Sequence, residues 1–335
     1  MKEIIIVNKD ANQRFDKYLK RYLINATPSF IYKMLRKKNI TLNGKKATGN
    51  ELLKEQDVVK IFFQEETLHK FTTVENTHVN AEEYQNAFRT LKDVSVIFEN
   101  EHVILLNKPA GILTQKAKED DISLNEWLIG YLLEKHKLSA ESLLAFKPSV
   151  LNRLDRNTSG IVLCGKSLIG SREVSKILKD RSLDKYYRLY VEGKVKNNAS
   201  HTAYLHKNEK TNKVVIKNEL SKQDHANDFD MIQTDYKVID ATNKYSYLEA
   251  KLVTGKTHQL RAHFSYLGHP IVGDKKYGKP LDKIPYQLLH AYRIVFPVMH
   301  DDLKDLSGKE FMCPLPELFK RFKENYYADL ELQRS

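Results

Sequence analysis

An α+β fold is the class that this sequence predicts: a mixed, largely antiparallel sheet with flanking helices, preceded by a small α/β module. Three observations carry it. A chain of 335 residues has room for one large core and a smaller one. Strand-like apolar runs bounded by turn residues alternate with stretches of helical spacing along most of its length. Basic charge crowds at the front, where residues 1–63 hold 14 Lys and Arg against 6 Asp and Glu, a net +8 of the chain's +12.

The front module begins with a strand-like run, Ile4 to Val7. Apolar residues at Phe15, Tyr18, Leu19, Tyr22 and Leu23 then take helical spacing. After Thr27-Pro28-Ser29, whose hydroxyls can cap a helix, Phe30 to Lys38 predicts a second helix with a strongly basic end. Ile40-Thr41-Leu42 leads into the turn Asn43-Gly44, and Asp57 to Phe63 reads as a closing strand. Such a cationic face attracts polyphosphate by counterion release, although the same charge serves equally as a solvated surface.

Residues 64–90 are polar and poor in aliphatics, and are expected to form a linker with little core of its own. Val94 to Phe98 and Val103 to Leu106, separated by Glu99-Asn100-Glu101-His102, predict a hairpin that opens a large domain over residues 91–325. Residues 326–335 carry no strong period and are expected to fray.

Composition bounds the function. With 41% hydrophobic residues and no apolar run of membrane-spanning length, a membrane protein is excluded. The start, Met1 to Lys9, lacks a signal-peptide core, so a cytoplasmic location is expected. Cys164 and Cys313 are too few for a disulfide framework or a zinc site and are expected to be packed in the core.

Three clusters could carry chemistry. In Leu151-Asn152-Arg153-Leu154-Asp155-Arg156-Asn157-Thr158-Ser159-Gly160, an aspartate sits between two arginines in a polar turn directly before the apolar run Ile161 to Cys164. That placement suits a functional carboxylate on a rigid support, and flanking cations favour its charged form. The plainer alternative is a turn aspartate bonded to local N–H groups. Gly160 to Ser167 also fits the phosphate-loop expression G-x-x-x-x-G-K-S, but Ile, Val, Leu and Cys want a sheet ladder, not a loop, so nucleotide binding is not expected. In the second cluster, Lys185 to Gly193, alternation places Tyr187 with Leu189 and Val191 on one strand face. The third cluster runs from Thr254 to Asp274 and holds His258, His263 and His269, whose spacings of five and six suit no shared face, so no metal is expected.

The front module resembles the S4 RNA-binding domain on Arg14, Asp16, Lys17, Ser29, Arg36, Asn43 and Gly44. The large domain resembles the RluA family of pseudouridine synthases. The residues that carry this are Arg153-Leu154-Asp155, Thr158-Ser159-Gly160, Lys185 with Tyr187, and Thr257-His258-Gln259-Leu260-Arg261 with His263. Leu267-Gly268-His269-Pro270, Gly273-Asp274, Asn107-Lys108-Pro109-Ala110-Gly111 and Cys313-Pro314-Leu315-Pro316 follow the same family order. Two positions depart from the pattern: Asn152 stands where the family has histidine, and Lys256 where it has arginine.

The resemblance implies isomerisation of uridine in structured RNA to pseudouridine, with no cofactor. It makes Asp155 the essential carboxylate, acting at ribose C1′ or at the base, Arg261 its ion-pair partner, and Tyr187 the residue that lies against uracil and helps remove the C5 proton. Expected RNA contacts are Arg14, Lys17, Ser29, Lys33, Arg36, Lys37, Lys38 and Asn43 in the front module, and Arg153, Arg156, Lys256 and His258 in the large one. Ribosomal large-subunit RNA is the first-choice substrate and transfer RNA the second, with no obligate protein partner. The competing readings are a catalytically silent RNA-binding factor of ribosome assembly and a glycosylase that uses the carboxylate at C1′.

Overall fold

Apolar alternation sets the strands and 3.6-residue spacing the helices in the computed structural model, which describes residues 1–7, 10–72, 81–139, 142–208, 213–221 and 223–331. The chain divides into two compact units, residues 1–86 with 129–147, and residues 87–128 with 148–335.

In the first unit, β1 (Lys2–Ile5), α1 (Phe15–Tyr22), α2 (Pro28–Arg36), β2 (Ile40–Leu42), β3 (Lys45–Lys46) and β4 (Val58–Ile61) form a four-stranded sheet of order β1-β4-β2-β3 backed by two helices. Their apolar stripes bury Phe15, Tyr18 and Leu19 from α1 and Ile31, Met34 and Leu35 from α2. Thr27 caps α2 by accepting from Phe30 N–H at 3.3 Å, with Pro28 in the first turn. The β2–β3 turn needs two left-handed residues, supplied by Asn43 (φ 50°) and Gly44 (φ 73°).

The stretch expected to be a linker instead carries helices. In α3 (Glu65–Thr72), Leu68 and Phe71 pack against the core of the first unit, with the Phe71 ring centroid 4.5 Å from that of Phe30. Next comes α4 (Ala81–Thr90), whose Tyr84 shares a small core with Ile129 of α5 (Leu124–Glu134) and Leu143 of α6 (Ser142–Ala145). Two or three apolar side chains at helical spacing outweighed the polar composition. Residues 73–80 of that stretch lie outside the described residues.

The second unit is built on one eleven-stranded sheet. Its strands are β5 (Ser95–Glu99), β6 (Val103–Lys108), β7 (Ser149–Val150), β8 (Ser159–Gly165), β9 (Asp184–Glu192), β10 (Ala199–Asn208), β11 (Lys213–Lys217), β12 (Asp230–Ala241), β13 (Tyr245–Leu252), β14 (Leu289–Val295) and β15 (Glu310–Met312). The order is β11-β10-β12-β13-β9-β14-β8-β6-β5, with β15 on β14 and β7 on β8. Among the described strands β14 and β8 make the one parallel pair, so the sheet is mixed and largely antiparallel. The expected hairpin is β5–β6, in which the Asn100 side chain accepts from the N–H groups of His102 and Val103 at 3.0 and 2.7 Å.

Helices cover patches of both faces. Val174 and Ile177 of α7 (Leu168–Lys179) join Val103, Leu105, Ile161 and Leu163. Ala262 of α8 (Gln259–Tyr266) lies on Ala203, Leu205, Val214 and Ile232. Phe319 and Phe322 of α9 (Glu317–Glu331) enclose Tyr190. Helix α9 thus continues into the stretch expected to fray, of which residues 332–335 lie outside the described residues. Cys164 and Cys313 are buried free thiols.

Residues 161–164 pair with β6 in register and are fully buried, so the phosphate-loop expression is a strand with its N–H groups committed. Lys166 and Ser167 also have other work: Lys166 Nζ binds Glu99 at 2.6 Å, and Ser167 caps α7 by accepting from Gly170 N–H at 3.0 Å.

Candidate active site

Strand β8 begins where a polar turn ends, and that turn is braced from three directions. The Asn152 side chain accepts from Leu163 N–H at 2.7 Å, tying the start of the turn to β8. Thr114 Oγ1 donates to the Leu154 carbonyl at 2.8 Å and accepts from its N–H at 3.2 Å. Lys108, fully buried at the end of β6, donates its three ammonium hydrogens to the carbonyls of Pro109, Ile112 and Arg156 at 3.0, 2.8 and 3.0 Å. Burial pulls Lys108 down to about 7, against the opposing charge of Asp155. Gly160 admits the close approach of β14: a Cβ there would stand 2.2 Å from the Ala291 carbonyl oxygen, and its φ is +114°.

Asp155 emerges from this turn with a side chain 26% exposed, so one edge of the carboxylate faces solvent. Arg261, in the first turn of α8, donates from Nη1 to Asp155 Oδ2 at 2.7 Å. Its other two donors form a fork on Asp274, with Nε to Oδ2 at 2.7 Å and Nη2 to Oδ1 at 2.9 Å. Burial alone would disfavour the charged guanidinium, but the Asp274 and Asp155 carboxylates hold it well above its usual range. Asp274 is fully buried, and the Arg261 pair and the N–H groups of Lys276 and Tyr277 outweigh burial to keep its carboxyl below the usual carboxylate range. Two anions around one buried cation leave Asp155 fixed in direction with a free face.

The rest of the cluster turns around α8. His258 occupies the residue before it in a left-handed conformation (φ 55°), and its Nε2 lies 3.8 Å from Asp155 Oδ2. On its other side, His258 Nδ1 is 2.9 Å from the Tyr277 hydroxyl, which accepts from Val214 N–H at 3.1 Å. Tyr277 also lies against the Arg261 guanidinium, 5.3 Å from its ring centroid. Gln259 anchors the segment by donating to the Gln233 carbonyl and Thr234 Oγ1, and by accepting from Thr254 Oγ1 and Lys256 N–H. Tyr187 is buried on the strand face of Leu189 and Val191, and burial together with the negative charge of Asp155 pushes its phenol far above its usual range.

The structure therefore brings Asp155, Arg261 and His258 together, with Tyr187 within electrostatic reach of Asp155. The three motif histidines face different partners: His258 meets Tyr277, His263 Nδ1 meets Thr234 Oγ1 at 3.1 Å, and His269 Nδ1 meets the Glu192 carbonyl at 2.9 Å. Arg153 is exposed, and Arg156 is exposed with its Nε on the Gly111 carbonyl at 3.0 Å. Lys256 is paired with Asp230 at 2.6 Å. In the first unit Lys17, Ser29, Lys33, Arg36, Lys37 and Lys38 are exposed. Arg14 forms a two-pronged pair with Asp16 at 3.0 and 2.9 Å, and Asn43 braces its turn by bonding Asp57 Oδ1 and Val58 N–H at 2.8 Å each.

A buried arginine forked on one aspartate and aimed at a second, partly exposed one is the centre onto which the sequence comparisons fall. The profile described as RNA pseudouridylate synthase matches residues 102–266, and that of the S4 domain matches residues 13–59. The ribosomal large subunit pseudouridine synthase C of Rickettsia prowazekii (strain Madrid E) is 33% identical over 330 residues, covering 95% of this chain and 99% of the relative. The chain belongs to the RNA pseudouridylate synthase family. Its members also include the ribosomal large subunit pseudouridine synthase D of Borreliella burgdorferi, 31% identical over 246 residues and covering 71% of this chain and 70% of the relative. The fold agrees: the solved structure of human RNA pseudouridylate synthase domain containing 4 superposes with a TM-score of 0.55 at 18% identity, over 72% of this chain and 96% of that one. Isomerisation of uridine in RNA is accordingly the activity of the chain, and an S4 domain lies at its front.

Three residues of the pseudouridine synthase centre escaped the sequence as contributors. Lys108 stands out as a charge ending the buried run Val103 to Leu106, which was a usable signal. Asp274 stood in a family motif without a role and Tyr277 in none, and both act on partners 13 and 19 positions away.

Proposed function

We propose that this chain is an RluA-type synthase that converts specific uridines of large-subunit ribosomal RNA to pseudouridine, in the cytoplasm, with transfer RNA as the second candidate substrate and no obligate protein partner. The observation that carries it is the 2.7 Å pair of Arg261 with the partly exposed carboxylate of Asp155, buttressed from behind by Asp274. The relatives named as acting on the ribosomal large subunit support the substrate. The buried free thiols suit a reducing compartment.

Uridine in folded RNA is stacked, so it must be extruded into the cleft at a cost of a few kcal/mol. Phosphate contacts by Lys17, Ser29, Lys33, Arg36, Lys37 and Lys38 of the S4 domain, with Arg14 and Asn43 at its edge, offset part of that cost. Arg153, Arg156 and Lys256 would take flanking phosphates near the site. Asp155 then meets the nucleotide at ribose C1′ or at the base. The C1′–N1 bond breaks, the base turns, and a C1′–C5 bond forms. Tyr187 lies against the uracil ring as a buried aromatic wall.

Asp155→Asn keeps the size of the side chain and removes its charge. The variant is expected to form no pseudouridine while binding RNA within a few-fold of the parent, read by tritium release from C5-labelled uridine and by filter binding. Turnover near the parental level would refute the assignment. A parent that binds RNA but releases no label would be the silent assembly factor, and an abasic product on digestion would mark a glycosylase.

A further inference from the structure

We propose that His258, supported by Tyr277, is the group that takes up the proton leaving C5 of the uridine, an assignment that rests on the isomerase reading above. Any nucleotide that touches Asp155 lies beside His258, because His258 Nε2 stands 3.8 Å from Asp155 Oδ2. The imidazole is placed by the main chain: His258 is held left-handed at φ 55°, and the next residue, Gln259, is fixed by hydrogen bonds to Thr254, Gln233 and Thr234. Its far side is closed by the Tyr277 hydroxyl, 2.9 Å from Nδ1.

The chemistry of the two available groups decides between them. Burial pushes the Tyr187 phenol up, and the negative charge of Asp155 pushes it the same way, so at neutral pH it has no lone base to offer. Burial acts on His258 in the opposite sense and lowers its pKa from the ordinary imidazole value, leaving a neutral ring ready to accept. The groups that face His258 are Asp155 from the turn before β8, Arg261 from α8, and Lys276, Asp274 and Tyr277 from the loop after α8. Two anions oppose two cations there, so no single charge dominates. The His258 side chain is also 11% exposed, which gives the proton a way out.

The step balances. For Nε2 to accept, the resting ring must carry its hydrogen on Nδ1, and the Tyr277 oxygen 2.9 Å away can take it with the lone pair that the Val214 N–H leaves free. After the C1′–C5 bond has formed, the C5–H bond breaks and its electron pair restores the C5=C6 double bond. At the same time the C6=N1 π pair returns to N1, which takes a proton from water, or, where Asp155 has added at C6, the C6–O bond breaks and the carboxylate leaves with its pair. The C5 proton goes to Nε2. The resulting imidazolium sits against the Asp155 carboxylate, and it returns the proton to water when product leaves.

The test uses the full-length chain with three RNAs carrying uridine, 5-deuterouridine or 5-fluorouridine at the target position. The last has no C5 proton to lose. His258→Asn suits the left-handed backbone. Its C5 tritium release is expected to slow about 100-fold, with RNA affinity within a few-fold. A primary deuterium isotope effect absent from the parent is expected to appear, and rearrangement of 5-fluorouridine to keep the parental rate. Tyr277→Phe, which keeps the ring, is expected to show the same isotope signature at a smaller loss. Equal slowing of uridine and 5-fluorouridine would make His258 a residue that merely positions Asp155, and no slowing or no isotope effect would also overturn the proposal. Failure of the parent to release tritium would instead overturn the isomerase reading itself.

Discussion

Asp274 shows how a residue that never meets substrate can govern one that does. Its two oxygens take two of the three Arg261 donors used in the site, so the third points at Asp155 without a choice of rotamer. Asp274→Asn would leave the buried guanidinium with one carboxylate and a mismatched amide. Unfolding free energy is expected to fall by about 3 kcal/mol in urea titrations, because the change strips one partner from a buried pair. Single-turnover kinetics are expected to show kcat down by roughly 100-fold with RNA affinity little changed, since the reacting carboxylate loses its direction. At this scale Asp155 and Arg261 were legible because their neighbours in sequence repeat a family pattern. Their pairing joins positions 106 apart, and nothing local in the chain encodes it. Asn152, which departs from that pattern, proves to be a brace for β8, a role that an amide oxygen fills well.

Two elements carry a buried histidine with a strongly lowered pKa. On α8, His263 is lowered to about 4 by burial and by the nearby His201, and its Nε2 has no hydrogen-bond partner among the described residues. On β14, His290 is lowered to about 4 by burial, and its Nδ1 meets Ser159 Oγ at 2.8 Å. Unfolded histidine titrates near 6.5, so between pH 6.5 and 4 the folded state binds fewer protons than the unfolded one. Stability is therefore full above pH 6.5 and is lost as pH falls towards 4, by on the order of 3 kcal/mol per histidine. Denaturant titrations at pH 7, 5.5 and 4.5 check this, with His290→Gln expected to show a shallower decline. Some elements were readable: α1, α2 and the β5–β6 hairpin announced themselves by period and turn chemistry. Helix α4 was missed, because the charge and polarity around Tyr84, Ala87, Phe88 and Leu91 hid their helical spacing.

For the molecule as a whole, the crowding of cations in residues 1–63 suited a nucleic-acid partner and a solvated face alike, and it was the ordered motif residues that pointed to RNA. The exposed face of α2 holds Lys33 and Arg36, with Lys37 at its end. Replacing these three by Gln is expected to weaken RNA binding at every sequence, and to flatten the slope of log affinity against log salt by about 0.7 for each phosphate left unneutralised. At saturating RNA the rate of isomerisation should stay near the parental value, since the reacting groups lie in the second unit. Unchanged affinity and slope would remove the S4 face from the RNA path.

The parallel pairing of β14 with β8 has a consequence in time. Ser159 and His290, which bond across it, are 131 positions apart, so closing this pair means enclosing most of the large domain in a single loop. Hairpins such as β5–β6 can zip early, whereas the ladder beneath Asp155 has to wait for the chain's last third. During synthesis or refolding, spectroscopic structure should thus return well ahead of turnover, and a ribosome-bound nascent chain lacking β14 would have no enzyme to offer.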